Sequence, residues 1–125
     1  MDRRYFLAAV GTASLAGCSG LSGNDENSQL DLTVQNERAG PVTVQVVVVD
    51  DEGTTYADES DQIDSGVARA FQVSAGTTGR HEVTVSGDDF EGQLAWNADS
   101  CVRFDGRVRV TDELVDVASE CVQSR

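Results

Sequence analysis

The chain has 125 residues, of which 22 are acidic and 9 basic, every basic one an arginine, for a net charge of −13. A field of that sign repels phosphate backbones and anionic lipid headgroups, which excludes nucleic acid as a partner held by bulk electrostatics. The length admits one small domain with a single core and no large cleft between domains.

The chain opens Met1-Asp2-Arg3-Arg4-Tyr5-Phe6-Leu7, continues with a mildly apolar stretch from Ala8 to Ala16, and reaches Gly17-Cys18. Basic, then apolar, then small is the order of an export signal, and the apolar run is shorter than the ~20 residues a bilayer-spanning helix needs. Arg3-Arg4 ahead of an aromatic and Leu7 resembles a twin-arginine export signal, and Leu15-Ala16-Gly17-Cys18 resembles a lipobox, whose cysteine thiol takes a lipid before cleavage. Residues 1–17 are thus expected to be a cleaved lipoprotein signal peptide. The mature chain would carry 21 acidic and 7 basic groups, or −14. At molar salt the screening length falls to about 3 Å, so such acidity is read as adaptation to a saline exterior.

Ser19 to Ser28 is polar, rich in Gly and Ser, and without apolar periodicity, which describes a flexible tether of about 17 Å root-mean-square reach. Lipidated Cys18 and the linker are assigned to 18–29 and the folded domain to 30–125.

Within that domain, apolar residues alternate with a period of two, the mark of strands with one wet face. Leu30, Leu32 and Val34 form the first set. Pro41 precedes a second, Val42 to Val49, whose far half is apolar on both faces, as in a central strand, and Asp50-Asp51-Glu52-Gly53 supplies its turn. Thr54 to Ala57 reads as a short edge strand and Asp58 to Gly66 as a polar loop. Val67 to Val73 resumes with Phe71 and Val73 inward, and Ala75 to Gly79 turns the chain into Arg80–Ser86, with His81, Val83 and Val85 on one face. Gly87-Asp88-Asp89 closes that strand, and Gln93 to Asn97 points Leu94 and Trp96 inward. The C-terminal region adds Val102, Phe104, Val108, Val110, Val115 and Val117. About seven short strands without a helical period predict an all-β fold: an antiparallel β-sandwich of the immunoglobulin-like or fibronectin-like kind, or else a small closed barrel.

With Cys18 given to lipid, Cys101 and Cys121 remain, placed symmetrically about Thr111. A hairpin turned at Thr111-Asp112-Glu113 would bring them together if a bulge at Asp105-Gly106 corrected the parity; alternatively Asp105-Gly106 is itself the turn. In an exported protein the pair is expected to form a disulfide. The twin-arginine start, lipobox and acid-rich, lysine-free composition together resemble small exported lipoproteins of salt-loving archaea. Trp96 followed by the cysteine-bracketed hairpin is similar to the C-terminal ends of their immunoglobulin-like β-sandwich domains. That resemblance implies a cell-membrane location, lipid-anchored and facing the exterior.

Such lipoproteins include blue copper proteins, whose site needs two His, one Cys and an axial Met. Here His81 is the sole His and Met1 the sole Met. A zinc site lacks its ligands, and Cys101 and Cys121 lack C-x-x-C spacing. No Gly-x-Ser-x-Gly elbow or phosphate-binding glycine loop occurs, and no carboxylate pair stands out from the acidic background. Asp50, Asp51, Glu52, Asp58, Glu59, Asp61 and Asp64 are the best candidates for a hard cation, yet an EF-hand frame with Gly53 at its sixth position puts Val48 at the first ligand. Asn24, Asn27, Asn36 and Asn97 lack glycosylation context. Tyr56 and Trp96 could belong to a ligand patch, although a strand Trp is more often core. The reading is a non-enzymatic binding or structural domain without a cofactor or metal, joined to the membrane through the lipid on Cys18 and serving an unidentified surface protein. The alternatives are a Ca²⁺-binding adhesion module and a carboxylate-dependent hydrolase.

Overall fold

A computed structural model describes residues 26–125. Their alternation folds into eight strands: β1 (Gln29–Asn36), β2 (Val42–Asp50), β3 (Thr55–Ile63), β4 (Ala68–Ser74), β5 (Arg80–Ser86), β6 (Glu91–Asn97), β7 (Cys101–Val110) and β8 (Val115–Ser124). They form two four-stranded sheets, ordered β4-β1-β7-β8 and β3-β2-β5-β6. The chain is a β-sandwich.

Leu30, Leu32 and Val34 of β1 project from the first sheet into the same core as Val42, Val44, Val46 and Val48 of β2 and Val83 and Val85 of β5. Each such side chain contributes roughly 1.5–3 kcal/mol by leaving water, which makes this seam the main source of stability. Gly106 of β7 also faces inward: a Cβ there would sit 2.9 Å from Leu94 Cδ2 and 3.3 Å from Leu32 Cδ1. Its missing side chain lets Leu94 of the opposing sheet fill the space.

Three local expectations are corrected. The segment Asp58 to Ile63, read as loop, continues β3, which is an edge strand. Its register puts Glu59 opposite Val46 and Asp61 opposite Val44, so two acids share the core-facing side at the sheet margin. There Asp61 forms an ion pair with Arg69 of β4, across the gap between the sheets. Inward charges hide the alternation that reveals a strand, and they also oppose edge-to-edge pairing. Second, the sandwich is not wholly antiparallel, because β1 pairs parallel with β7.

The C-terminal hairpin turns at Thr111 to Leu114, as expected, where the Thr111 amide donates to Leu114 O at 2.9 Å and its Oγ1 accepts from the Leu114 amide at 3.1 Å; the third correction concerns its bulge. Asp105 and Gly106 pair regularly with Glu120 and Ser119, and are neither bulge nor turn. The irregularity falls instead between Cys101 and Phe104, where Cys101 and Val102 are consecutive and both buried. Cys101 and Cys121 are joined as a disulfide, their Cα atoms 5.9 Å apart.

The strand directions define two ends. Ser28, Arg125 and the connections β2–β3, β4–β5 and β6–β7 lie at one, the proximal end. The connections β1–β2, β3–β4, β5–β6 and β7–β8 lie at the other, the distal end.

Candidate functional site

At the proximal end four rings run in a column through the core margin. His81 of β5 stacks on Trp96 of β6, with centroids 4.9 Å apart and planes 19° from parallel. Trp96 stacks in turn on Phe104 of β7 at 5.3 Å. Tyr56 covers the outer side of His81 at 5.1 Å. A bulge explains how Tyr56 reaches it: Val48 and Val49 of β2 face Ala57 and Thr55, so Tyr56 is the extra residue of β3 and its side chain is re-aimed.

The tyrosine hydroxyl donates to Asp50 Oδ2 at 3.3 Å, while Asp50 Oδ1 accepts from the amides of Thr54 and Glu52 at 2.9 Å each. The Thr54 amide foremost, helped by the Glu52 amide, the Tyr56 hydroxyl and the nearby His81, holds the Asp50 carboxyl below its usual range, with partial desolvation opposing. Desolvation first, and then the Asp50 charge, pushes the Tyr56 hydroxyl up. His81 is fully buried, its Nδ1 lies 3.2 Å from Gly79 O, and its Nε2 has no hydrogen-bond partner among the described residues. The buried imidazole is thus packed between the stacked Trp96 ring and the tilted Tyr56 ring.

Ser28 secures the column from the N-terminal side. Its Oγ accepts from Trp96 Nε1 at 2.7 Å and donates to Cys101 O at 2.8 Å. Its amide donates to Gly76 O, and its carbonyl accepts from the Ala75 amide. Ser28 reads in sequence as the last tether residue, yet it is fully buried, and Gln29 already belongs to β1.

The distal end is knitted by two polar residues. Buried Asn36, at the end of β1, donates from Nδ2 to Gly40 O and Ile63 O at 2.9 Å each and accepts the Arg38 amide at 2.8 Å. Arg38 then reaches Thr111 O through Nε and Asp89 Oδ1 through Nη1, both at 2.9 Å, with its guanidinium 5.4 Å over the Phe90 ring. Ser65 Oγ donates to Arg38 O. One arginine thereby ties all four distal connections, leaving Leu114 and Val67 49% and 40% exposed beside it.

Cys101 and Cys121 are brought together, whereas Arg3, Arg4 and Cys18 lie outside the described residues. The seven acids singled out for a cation are strung along the β2–β3 turn, β3 and its exit, with Asp50 bound to amides, Asp61 to Arg69 and Asp58 to Gln45. Among the described residues no group of three or more His, Cys, Asp or Glu converges as a metal site. A shallow groove lies on the outer face of the first sheet between Thr33, Arg107, Ala118 and Glu120. No helix of the described residues is long and apolar enough to cross a membrane. Sequence reasoning missed Ser28, Asn36 and Arg38, which look like ordinary linker and turn residues; a strand-end Asn before Glu-Arg-Ala-Gly was the only signal.

The sequence matches no family model and no curated protein. Among solved structures, the chain is similar to the T6SS lipoprotein TssJ1 from Pseudomonas aeruginosa, with a TM-score of 0.55 at 4% identity, over 75% of this chain and 97% of that one. It also aligns with (S)-allantoin synthase at a TM-score of 0.45 and 12% identity, over 78% of this chain and 45% of that one, a likeness too low to carry argument. At 4% identity the first shows a shared fold.

Proposed function

We propose that the chain is a lipoprotein, exported through Arg3-Arg4 and held by a lipid on Cys18 at the outer face of the membrane, where it presents its distal loops to another surface protein and carries out no catalysis. One observation carries this reading: the segment leading from Cys18 joins the sandwich at Ser28, and the loops tied by Asn36 and Arg38 lie at the opposite end, one strand length away. Eight residues of β1 span about 26 Å, enough to hold a contact surface clear of the headgroups. A loop cluster fixed by a buried Asn and a shared Arg is preorganised, which lowers the entropy cost of binding, and exposed Leu114 and Val67 supply apolar contact. Tethering raises the local concentration of such a surface beside its neighbours, so weak contacts suffice. That a solved protein of the same fold is itself described as a lipoprotein agrees with the anchoring half of the proposal.

The test has two arms in whole cells. Cys18→Ser should move the protein from the membrane fraction to the medium or the soluble fraction; equal retention of the variant would sink the anchoring. A photo-cross-linker at position 114 should capture a defined protein that the same group placed at position 78, at the proximal end, does not. Identical capture patterns from both positions would sink the assignment of the distal loops.

A further inference from the structure

We infer that this domain is built to bear tension along its strands, as a mechanical coupling between the anchored segment and whatever grips its distal loops. The inference rests on the anchoring reading for the origin of the load, and on topology for the ability to carry it.

The strand that continues the anchored segment, β1, is interior to its sheet. It pairs antiparallel with β4 from Gln29 to Gln35 and parallel with β7 from Gln29 to Asn36. A pull from the Cys18 side against the distal loops runs along the β1 axis, so β1 must slide past both neighbours and both ladders resist together. A pull across the strands would open the same bonds one after another. Sliding is further blocked by the core. A slip of one residue would turn Leu30, Leu32 and Val34, each no more than 1% exposed, outward and bring Asp31, Thr33 and Gln35 into the apolar interior.

Both ends of the strand are fastened to other elements. Ser28 holds the proximal end to Trp96, Cys101, Ala75 and Gly76, and Asn36 holds the distal end to Gly40, Ile63, Gly66 and Val67. The partner that shares the load, β7, is joined covalently to β8 near its proximal end by Cys101–Cys121, so β7 cannot peel away there first. Interior position, double pairing, pinned ends and a stapled neighbour converge on the one strand through which an N-terminal anchor would pull.

Single-molecule force spectroscopy on the full chain, made without lipid so that the Cys18 thiol serves as one handle, tests this directly. The second handle is placed by Glu113→Cys in the β7–β8 turn for pulling along the strands, or by Thr78→Cys in the β4–β5 connection for opening the proximal end sideways. Asp64→Cys gives a second distal handle on a different loop, should the hairpin turn not accept the change. Variants are compared once their thermal midpoints match the parent. At one loading rate the two distal handles should rupture at about twice the force of the proximal one or more, because ladder bonds are loaded together in the first geometry and in sequence in the second. Equal or lower force from both distal handles would overturn the inference while leaving the anchoring untouched. Failure of Cys18→Ser to release the protein in cells would remove the source of the load, and the inference would fall with the anchoring.

Discussion

Trp96 Nε1 donates to Ser28 Oγ at 2.7 Å, linking the only tryptophan to a residue 68 positions earlier, at the first turn of chain into the fold. Both residues are buried, so neither polar atom has water to fall back on. Ser28→Ala would leave the indole N–H and Cys101 O without their partner, at a cost of about 1–3 kcal/mol. Urea denaturation read by the Trp96 fluorescence should show a lower midpoint at unchanged slope. Adding Trp96→Phe, with the unfolding of all four proteins followed by far-UV circular dichroism because the only tryptophan is then gone, should cost less in the Ser28→Ala background than in the parent, since one loss is then shared; strict additivity would count against the link.

Gly106 makes a second, purely steric prediction. Because a methyl group at this position would approach Leu94 and Leu32 too closely, Gly106→Ala should destabilise by about 1–3 kcal/mol, although alanine suits a strand better than glycine does. Leu94→Val in the same chain should return part of the loss. A stabilised Gly106→Ala would mean the sheets sit further apart than described.

Asp50 sets a pH dependence whose sign follows from its lowered carboxyl. The folded state favours the ionised form, so its contribution is present above the usual 3.8 and fades as pH falls through the lower folded value. Asp50→Asn, which keeps an amide-accepting oxygen but cannot titrate, should be less stable than the parent near neutrality and approach it in strong acid. Melting temperatures of both proteins across that range check this, and a gap that stayed constant with pH would contradict it.

The disulfide closes a loop with a sequence separation of 20, worth about 3 kcal/mol in the chain-entropy account. Alkylation of the unreduced, denatured protein should spare both Cys101 and Cys121, and the paired serine variant should melt earlier. Labelling of either residue in fully oxidised material would show that the bridge does not form.

Where the core was apolar on one side only, the sequence was readable. Leu30-Leu32-Val34 and His81-Val83-Val85 declared both strand and facing side, because burial alone dictated their alternation. In β3 the alternation breaks off after Ala57 because Glu59 and Asp61 occupy its inner face, where the sheet margin admits water and Arg69 neutralises one of them. The C-terminal bulge is hidden for a different reason: Asp105-Gly106 resembles a turn, but Gly106 is small to accommodate Leu94, a requirement set by the other sheet, and the irregularity lies at Cys101 to Phe104. Ser28, Asn36 and Arg38 were invisible, since each acts through partners far along the chain and only the assembled fold makes them neighbours. Composition thus announces apolar packing, whereas polar fastening depends on tertiary geometry.

Arg125 bonds Ala98 O and Ser100 O, within the same proximal end as Ser28. Anything appended after Arg125, such as a fluorescent reporter or an affinity tag, would therefore emerge on the side from which the N-terminal segment departs. It would crowd the space beneath the sandwich and leave the Asn36 and Arg38 loops unobstructed. A C-terminal fusion is accordingly a labelling site that spares the proposed contact surface at the far end, while a label inserted between Asp112 and Glu113 would sit within that surface.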